Sequence, residues 1–134
     1  MLEEKDFDRL AKLALEARSK AYCPYSNYHV GAALLCSDGT VFTGCNVENA
    51  SYPCSICAER VAGGKAVSEG HRDFAAIAVV GSGEGICTPC GMCRQFLSEF
   101  NPRMDVVCCF SDGRYEVMNL ADLLYGAFTP ESLS

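Results

Sequence analysis

Three cysteines and one glutamate are the residues of this chain best suited to chemistry. Cys57 lies two residues before Glu59, and Cys90 and Cys93 have the C-x2-C spacing common among zinc ligands. Three thiolates can hold one Zn²⁺ and leave its fourth position open, which is the arrangement of a catalytic rather than a structural zinc. Glu59 is then better placed to move protons beside a water in that position than to be a ligand itself. Zinc with three thiolates carries one net negative charge, so a nearby cation should offset it. Arg60 and Arg94 each directly follow a site residue, and Arg60 is the first choice for donating to a thiolate sulfur.

The spacing also admits a second reading. Cys54-x2-Cys57 with Cys90-x2-Cys93 is formally the pattern of a closed four-cysteine structural site, which would make the chain a zinc-stabilised scaffold without catalysis. That reading leaves Glu59 and a polar cluster at Asn46 and Glu48 without a purpose. Cys87-x2-Cys90-x2-Cys93 has the start of an iron–sulfur run, but Leu97 stands where the fourth cysteine would be. Cys23, Cys36, Cys45, Cys108 and Cys109 fall in or beside apolar segments and read as buried free thiols.

The elements that position these groups follow from hydrophobic periodicity. A helical period runs from Phe7 to Ala21, and Pro24 introduces a loop carrying Tyr22, Tyr25 and Tyr28, a possible stacking wall for a flat ligand. Val30–Cys36 and Val41–Asn46 flank Asp38-Gly39 and predict an antiparallel hairpin. A helix is expected over Cys57–Glu69, closed by Gly70, with Gly63-Gly64 inside it explained by close contact with a neighbouring element or subunit. Phe74–Gly81 is a buried strand, Gly81–Gly85 a flexible loop, Gly91–Phe100 a helix and Met104–Phe110 a strand, a succession that implies parallel pairing. A strand through Met118, a short helix over Leu120–Tyr125 and a loose tail from about Thr129 complete the chain. The order predicts one domain over residues 1–134: a three-layer α/β/α sandwich around a five-stranded mixed sheet, with both inner helices opening at metal ligands.

Composition narrows the class of partner. Hydrophobic residues make up 49% and charged residues 21%, as in globular domains. A net charge of −6 disfavours nucleic acid, whose binding usually draws on a basic face. No apolar run approaches the roughly 18 residues that span a bilayer, so no membrane partner is expected. The acidic, amphipathic start MLEEKDFDRL does not read as a signal peptide, which predicts a cytoplasmic location and ten reduced cysteines.

Beyond the zinc residues, Pro24-Tyr25-Ser26, Val30–Leu34, Gly44–Asn49, Cys57–Arg60, Lys65–Gly70 and Cys90–Gln95 resemble, in order, the small homotetrameric cytidine deaminases of the cytidine/deoxycytidylate deaminase family. The resemblance reaches from the first helix to about Phe128. It implies one zinc per subunit and hydrolysis of cytidine and 2′-deoxycytidine to the uridines with release of ammonia, a reaction of pyrimidine salvage. Activated water would attack C4 while Glu59 protonates N3 and then the amino group. Asn46 and Glu48 match residues that bind the ribose, Tyr28 an aromatic ring against the base, and Ala58 a further substrate contact. Tyr52 and Phe128 match residues contributed across subunit boundaries, which implies a homotetramer with shared sites. The chain departs from the family at Gly63-Gly64, where bulkier residues are usual, and at Tyr125, where proline is frequent. A blasticidin-type deaminase has a similar zinc site and length, but Asn46-Val47-Glu48-Asn49 favours an ordinary nucleoside.

Overall fold

A computed structural model describes residues 2–133. Its five strands are β1 (Val30–Cys36), β2 (Val41–Cys45), β3 (Phe74–Gly81), β4 (Asp105–Cys109) and β5 (Tyr115–Asn119), and its helices are α1 (Glu4–Arg18), α2 (Ala58–Ser68), α3 (Gly91–Ser98) and α4 (Leu120–Leu123). The strands form one sheet in the order β2-β1-β3-β4-β5. The β3–β4 pair is parallel, as the intervening helix requires, and the other three pairs are antiparallel. Asp38-Gly39 makes the β1–β2 turn, with Gly39 at φ +93°, a conformation that favours glycine.

Side chains along each strand alternate between two cores. Ala32, Leu34, Ile77, Val106 and Cys108 face Ala58, Ala62 and Ala66 of α2, Leu97 of α3 and Leu120 of α4. Ala33, Leu35, Ala76, Ala78, Val80 and Val107 face Leu10, Ala11 and Ala14 of α1. The period-two pattern thus puts helices on both faces and produces the three-layer α/β/α sandwich. Truncating the fully buried Leu97 to alanine would cost about 2–5 kcal/mol.

Glycine lets two helices sit close to the sheet. A methyl on Gly31 would overlap the Ala14 carbonyl of α1, and one on Gly44 would stand 2.6 Å from the Ala62 nitrogen of α2. The second contact brings the start of α2 beside the end of β2, where Asn46 begins the polar cluster.

Local boundaries differ from the sequence expectation in understandable ways. Helix α1 starts at Glu4, where the Glu3 N–H donates to Asp6 Oδ2 at 2.8 Å, and ends at Arg18, short of Ala21. Its first-turn acids and last-turn arginine complement the helix dipole. Of the two glycines in α2, Gly63 makes a close approach, since a methyl there would stand 2.6 Å from Cε1 of Phe96 in α3. Gly64 meets nothing within 4 Å, so interhelix contact within this chain explains only the first. Pro130–Leu133, in the expected loose tail, forms a single 3-10 turn. Among the described residues, no helix is long and apolar enough to cross a membrane.

Candidate active site

Helices α2 and α3 begin at cysteines. Cys57 is the N-cap of α2 and Cys90 the N-cap of α3, with Cys93 one turn in. Both caps are extended, at ψ 152° and 167°, so the chain enters each helix through a sharp change of direction. The unpaired N–H groups and positive dipole end of a helix start favour thiolate over thiol.

The sulfurs of Cys57, Cys90 and Cys93 all lie within 4.8 Å of one another, the one such metal-ligating group among the described residues. Tetrahedral zinc with Zn–S bonds of about 2.3 Å requires sulfurs about 3.8 Å apart. Cys57 Sγ and Cys90 Sγ are 3.8 Å apart, so this pair already has the spacing a zinc ion needs. Cys54 is exposed and outside the group, which removes the geometric basis of a four-cysteine clip.

Arg60 sits one turn into α2 and places Nη2 3.6 Å from Cys57 Sγ. Hydrogen bonding from Cys93, and then from Arg60, holds the Cys57 thiol down to about 5, while sharing that proton pushes Cys93 up. Arg94 is turned away from the sulfurs. It donates to the Pro89 carbonyl from Nε at 2.7 Å, to the Leu123 carbonyl from Nη1 at 2.7 Å and to Thr88 Oγ1 from Nη2 at 3.2 Å. One of the two arginines thus faces the thiolates, and the other ties the segment before Cys90 to α4.

A cavity of about 460 Å³ opens beside the cysteines, lined by Cys57, Cys90, Ala58, Glu59, Asn46, Glu48 and Tyr28, together with Ser26, Val30, Ile86, Cys87 and Thr88. Glu59 is only 4% exposed. Burial is the main cause that pushes its carboxyl up to about 7, and the neighbouring Cys57 charge adds to it. A carboxyl in that range can both accept and release a proton near neutral pH.

The polar cluster on the cavity lining is internally braced. Asn46 Oδ1 accepts from the Val30 N–H at 2.9 Å and Asn46 Nδ2 donates to the Tyr28 carbonyl at 2.8 Å, which leaves one amide hydrogen for other use. Glu48 accepts from the N–H groups of Tyr25 at 3.0 Å and Ser26 at 3.1 Å, and from the Ser26 hydroxyl. These bonds, the Ser26 hydroxyl first, hold its carboxyl below the usual carboxylate range, so Glu48 stays ionised.

Of the three loop tyrosines, Tyr28 alone lines this cavity. Tyr25 packs edge-on against Tyr52, with ring centroids 5.9 Å apart. Tyr52 and Phe128 lie outside the cavity and are 70% and 58% exposed. The backbone of Phe128 is held by Gln95, whose Nε2 donates to the Phe128 carbonyl at 2.7 Å. Ile86, Cys87 and Thr88 are lining residues that spacing did not reveal. The one available signal was Thr88-Pro89 before Cys90, because a residue preceding proline is extended.

The comparisons with known proteins agree with this geometry. Residues 4–110 match the family described as the cytidine and deoxycytidylate deaminase zinc-binding region. The chain is 49% identical over 130 residues to the cytidine deaminase of Sporosarcina psychrophila, covering 96% of each chain. It is 47% identical over 130 residues to that of Halalkalibacterium halodurans, covering 96% of this chain and 98% of the relative. The crystal structure of cytidine deaminase from Burkholderia pseudomallei superposes with a TM-score of 0.87 at 48% identity, over 95% of this chain and all of that one. With residues 4–110 matched to the family and nearly the whole length shared with its members, the chain belongs to the cytidine and deoxycytidylate deaminase family.

Proposed function

We propose that this chain is a zinc-dependent hydrolase that converts cytidine and 2′-deoxycytidine to the corresponding uridines and ammonia. The observation that carries the reading is the position of Glu59, buried beside the three sulfurs in the cavity that also holds Asn46, Glu48 and Tyr28. Cys57, Cys90 and Cys93 would hold one zinc ion per chain, which when bound supplies a Lewis acid that makes water nucleophilic near neutral pH.

The chain's own residues then do the following. Glu59 accepts the proton that the attacking water loses and returns it to N3 of the pyrimidine. It then takes the proton of the hydroxyl newly joined to C4 and gives it to the amino nitrogen, which leaves as ammonia as the C4–N bond breaks and the C4 carbonyl forms. Arg60 offsets the excess negative charge of three thiolates. Tyr28 forms a wall for the flat base, and Ala58 contributes an N–H at the start of α2 that has no intrahelical acceptor. Ionised Glu48 and the remaining amide hydrogen of Asn46 suit the sugar hydroxyls. Ribose and deoxyribose share the 3′-hydroxyl, so one arrangement can take both nucleosides.

The exposed rings of Tyr52 and Phe128 support a homotetramer in which neighbouring chains complete each cavity. Thiolate ligands and buried free thiols suit the reducing cytoplasm.

The test is Glu59→Gln. The variant should fold and bind one zinc per chain, while the ultraviolet absorbance change with cytidine slows about 10²–10⁴-fold. Deamination at the parent rate would refute the role given to Glu59. Parallel assays with deoxycytidine and deoxycytidine monophosphate define the substrate class, and preference for the monophosphate would overturn the nucleoside assignment.

A further inference from the structure

The loop Gly81-Ser82-Gly83 is not explained by zinc, by proton transfer or by the sugar. It packs against the Tyr28 ring. A methyl built on Gly81 would overlap the Tyr28 hydroxyl oxygen and stand 2.7 Å from Cζ and 3.2 Å from Cε2. One built on Gly83 would stand 3.0 Å from Tyr28 Cε1. Tyr28 lines the cavity and neither glycine does, so the glycines meet the ring and not the space where a base would lie.

Backbone conformation does not account for glycine at either position. Neither Gly81 nor Gly83 has positive φ, and Gly81 is an ordinary strand residue paired with Val30. What glycine provides here is room for a phenol. The slot is rigid: the Gly81 carbonyl accepts from Arg18 Nη1 at 2.7 Å, and the Ser82 hydroxyl accepts from the His29 N–H at 3.0 Å. The second bond joins the slot to the residue after Tyr28. The Tyr28 hydroxyl is also 4.0 Å from Cys87 Sγ, a cavity-lining thiol.

We propose that Gly81 and Gly83 are positioning residues for substrate binding: they form a slot that seats the tyrosine hydroxyl and so sets the plane of the Tyr28 ring against the pyrimidine. The inference rests on Tyr28 being a wall of the nucleoside cavity. A side chain at residue 81 has to displace the ring, and a ring displaced into the cavity that it lines narrows the space for the base. Cavity width, and hence affinity for a flat base, is therefore fixed by a residue that never touches the base. Phenylalanine at residue 28 lacks the atom in deepest conflict, so it should tolerate alanine at residue 81 better than tyrosine does.

The experiment uses the zinc-loaded enzyme and steady-state kinetics with cytidine. Gly81→Ala should raise KM about tenfold with kcat within about threefold and zinc content unchanged, and Gly83→Ala should raise KM less. Gly81→Ala combined with Tyr28→Phe should return KM to within about threefold of Tyr28→Phe alone. An unchanged KM in Gly81→Ala overturns the slot, as does a double variant in which the two effects simply multiply. If Gly81→Ala does not fold, Gly83→Ala with and without Tyr28→Phe decides the matter by the same rescue. Tyr28→Ala separates the two levels. A raised KM there with none in either glycine variant refutes the slot alone, and a normal KM there refutes the placement of Tyr28 against the base.

Discussion

Arg94 is the residue whose loss should be felt most at the metal without touching it. Its guanidinium spans the Pro89 carbonyl, the Leu123 carbonyl and Thr88 Oγ1, so one side chain fastens the segment leading into Cys90 to α4. Arg94→Ala removes all three donors. A hydrogen bond from a charged donor is worth about 1.5–3 kcal/mol, and the 3.2 Å bond to a hydroxyl that can turn to water counts for little. The two 2.7 Å carbonyl bonds dominate, and partial exposure lowers their sum to about 3 kcal/mol. That energy holds Cys90 at its place in the group of three sulfurs. The expected outcome is a 10–100-fold rise in the zinc dissociation constant, the range found when groups supporting a metal ligand are lost. Competition with a chromophoric zinc chelator measures it. Arg94→Lys keeps the charge but not the planar fork, and should recover less than half of the loss. Parent-like zinc affinity in Arg94→Ala, or full recovery in Arg94→Lys, would refute the reasoning.

Other substitutions discriminate equally well. Gly63→Ala should lower stability by about 1–3 kcal/mol through its clash with Phe96, while Gly64→Ala, in open space, should raise it by about 0.5–1 kcal/mol; urea midpoints of the two variants compare them directly. Cys54→Ser should keep one zinc per chain by elemental analysis, because Cys54 lies outside the sulfur group. Asn46→Ala removes the acceptor of Val30 and the donor to Tyr28, so it should lower stability by about 1–3 kcal/mol and raise KM together. Glu48→Gln should raise KM for both nucleosides without altering zinc content, as kinetics and metal analysis will show.

The residues written at helix starts and turns were the ones legible in the sequence. Cys57 and Cys90 could be placed at helix N-caps because cap positions are encoded locally, and Asp38-Gly39 identified the hairpin for the same reason. Continuous apolar strands bounded by glycine and polar turns, in their order with the helices, implied the layers. Arg94 was ambiguous because its neighbour in sequence is Cys93, whereas its hydrogen bonds run to Thr88, Pro89 and Leu123. The glycine pair in α2 looked alike on paper, yet the helix turns one toward Phe96 and the other toward open space. Ile86, Cys87 and Thr88 were hidden in an irregular loop, where no periodicity tells which side chains face a cavity. Residues whose role depends on a contact distant in the chain carry little local signature.

The helix starts at Cys57 and Cys90 are 33 positions apart, and the whole of β3 lies between them. A metal held by both would be a cross-link closing a chain loop that contains the sheet's central strand. Closing a loop of this length in a disordered chain costs about 3–4 kcal/mol of entropy. The folded chain already holds Cys57 Sγ and Cys90 Sγ 3.8 Å apart, so a zinc ion arriving late meets ends that are already joined. Metal capture should therefore follow assembly of the central strand, and a bound metal should resist escape for as long as that strand stays in place.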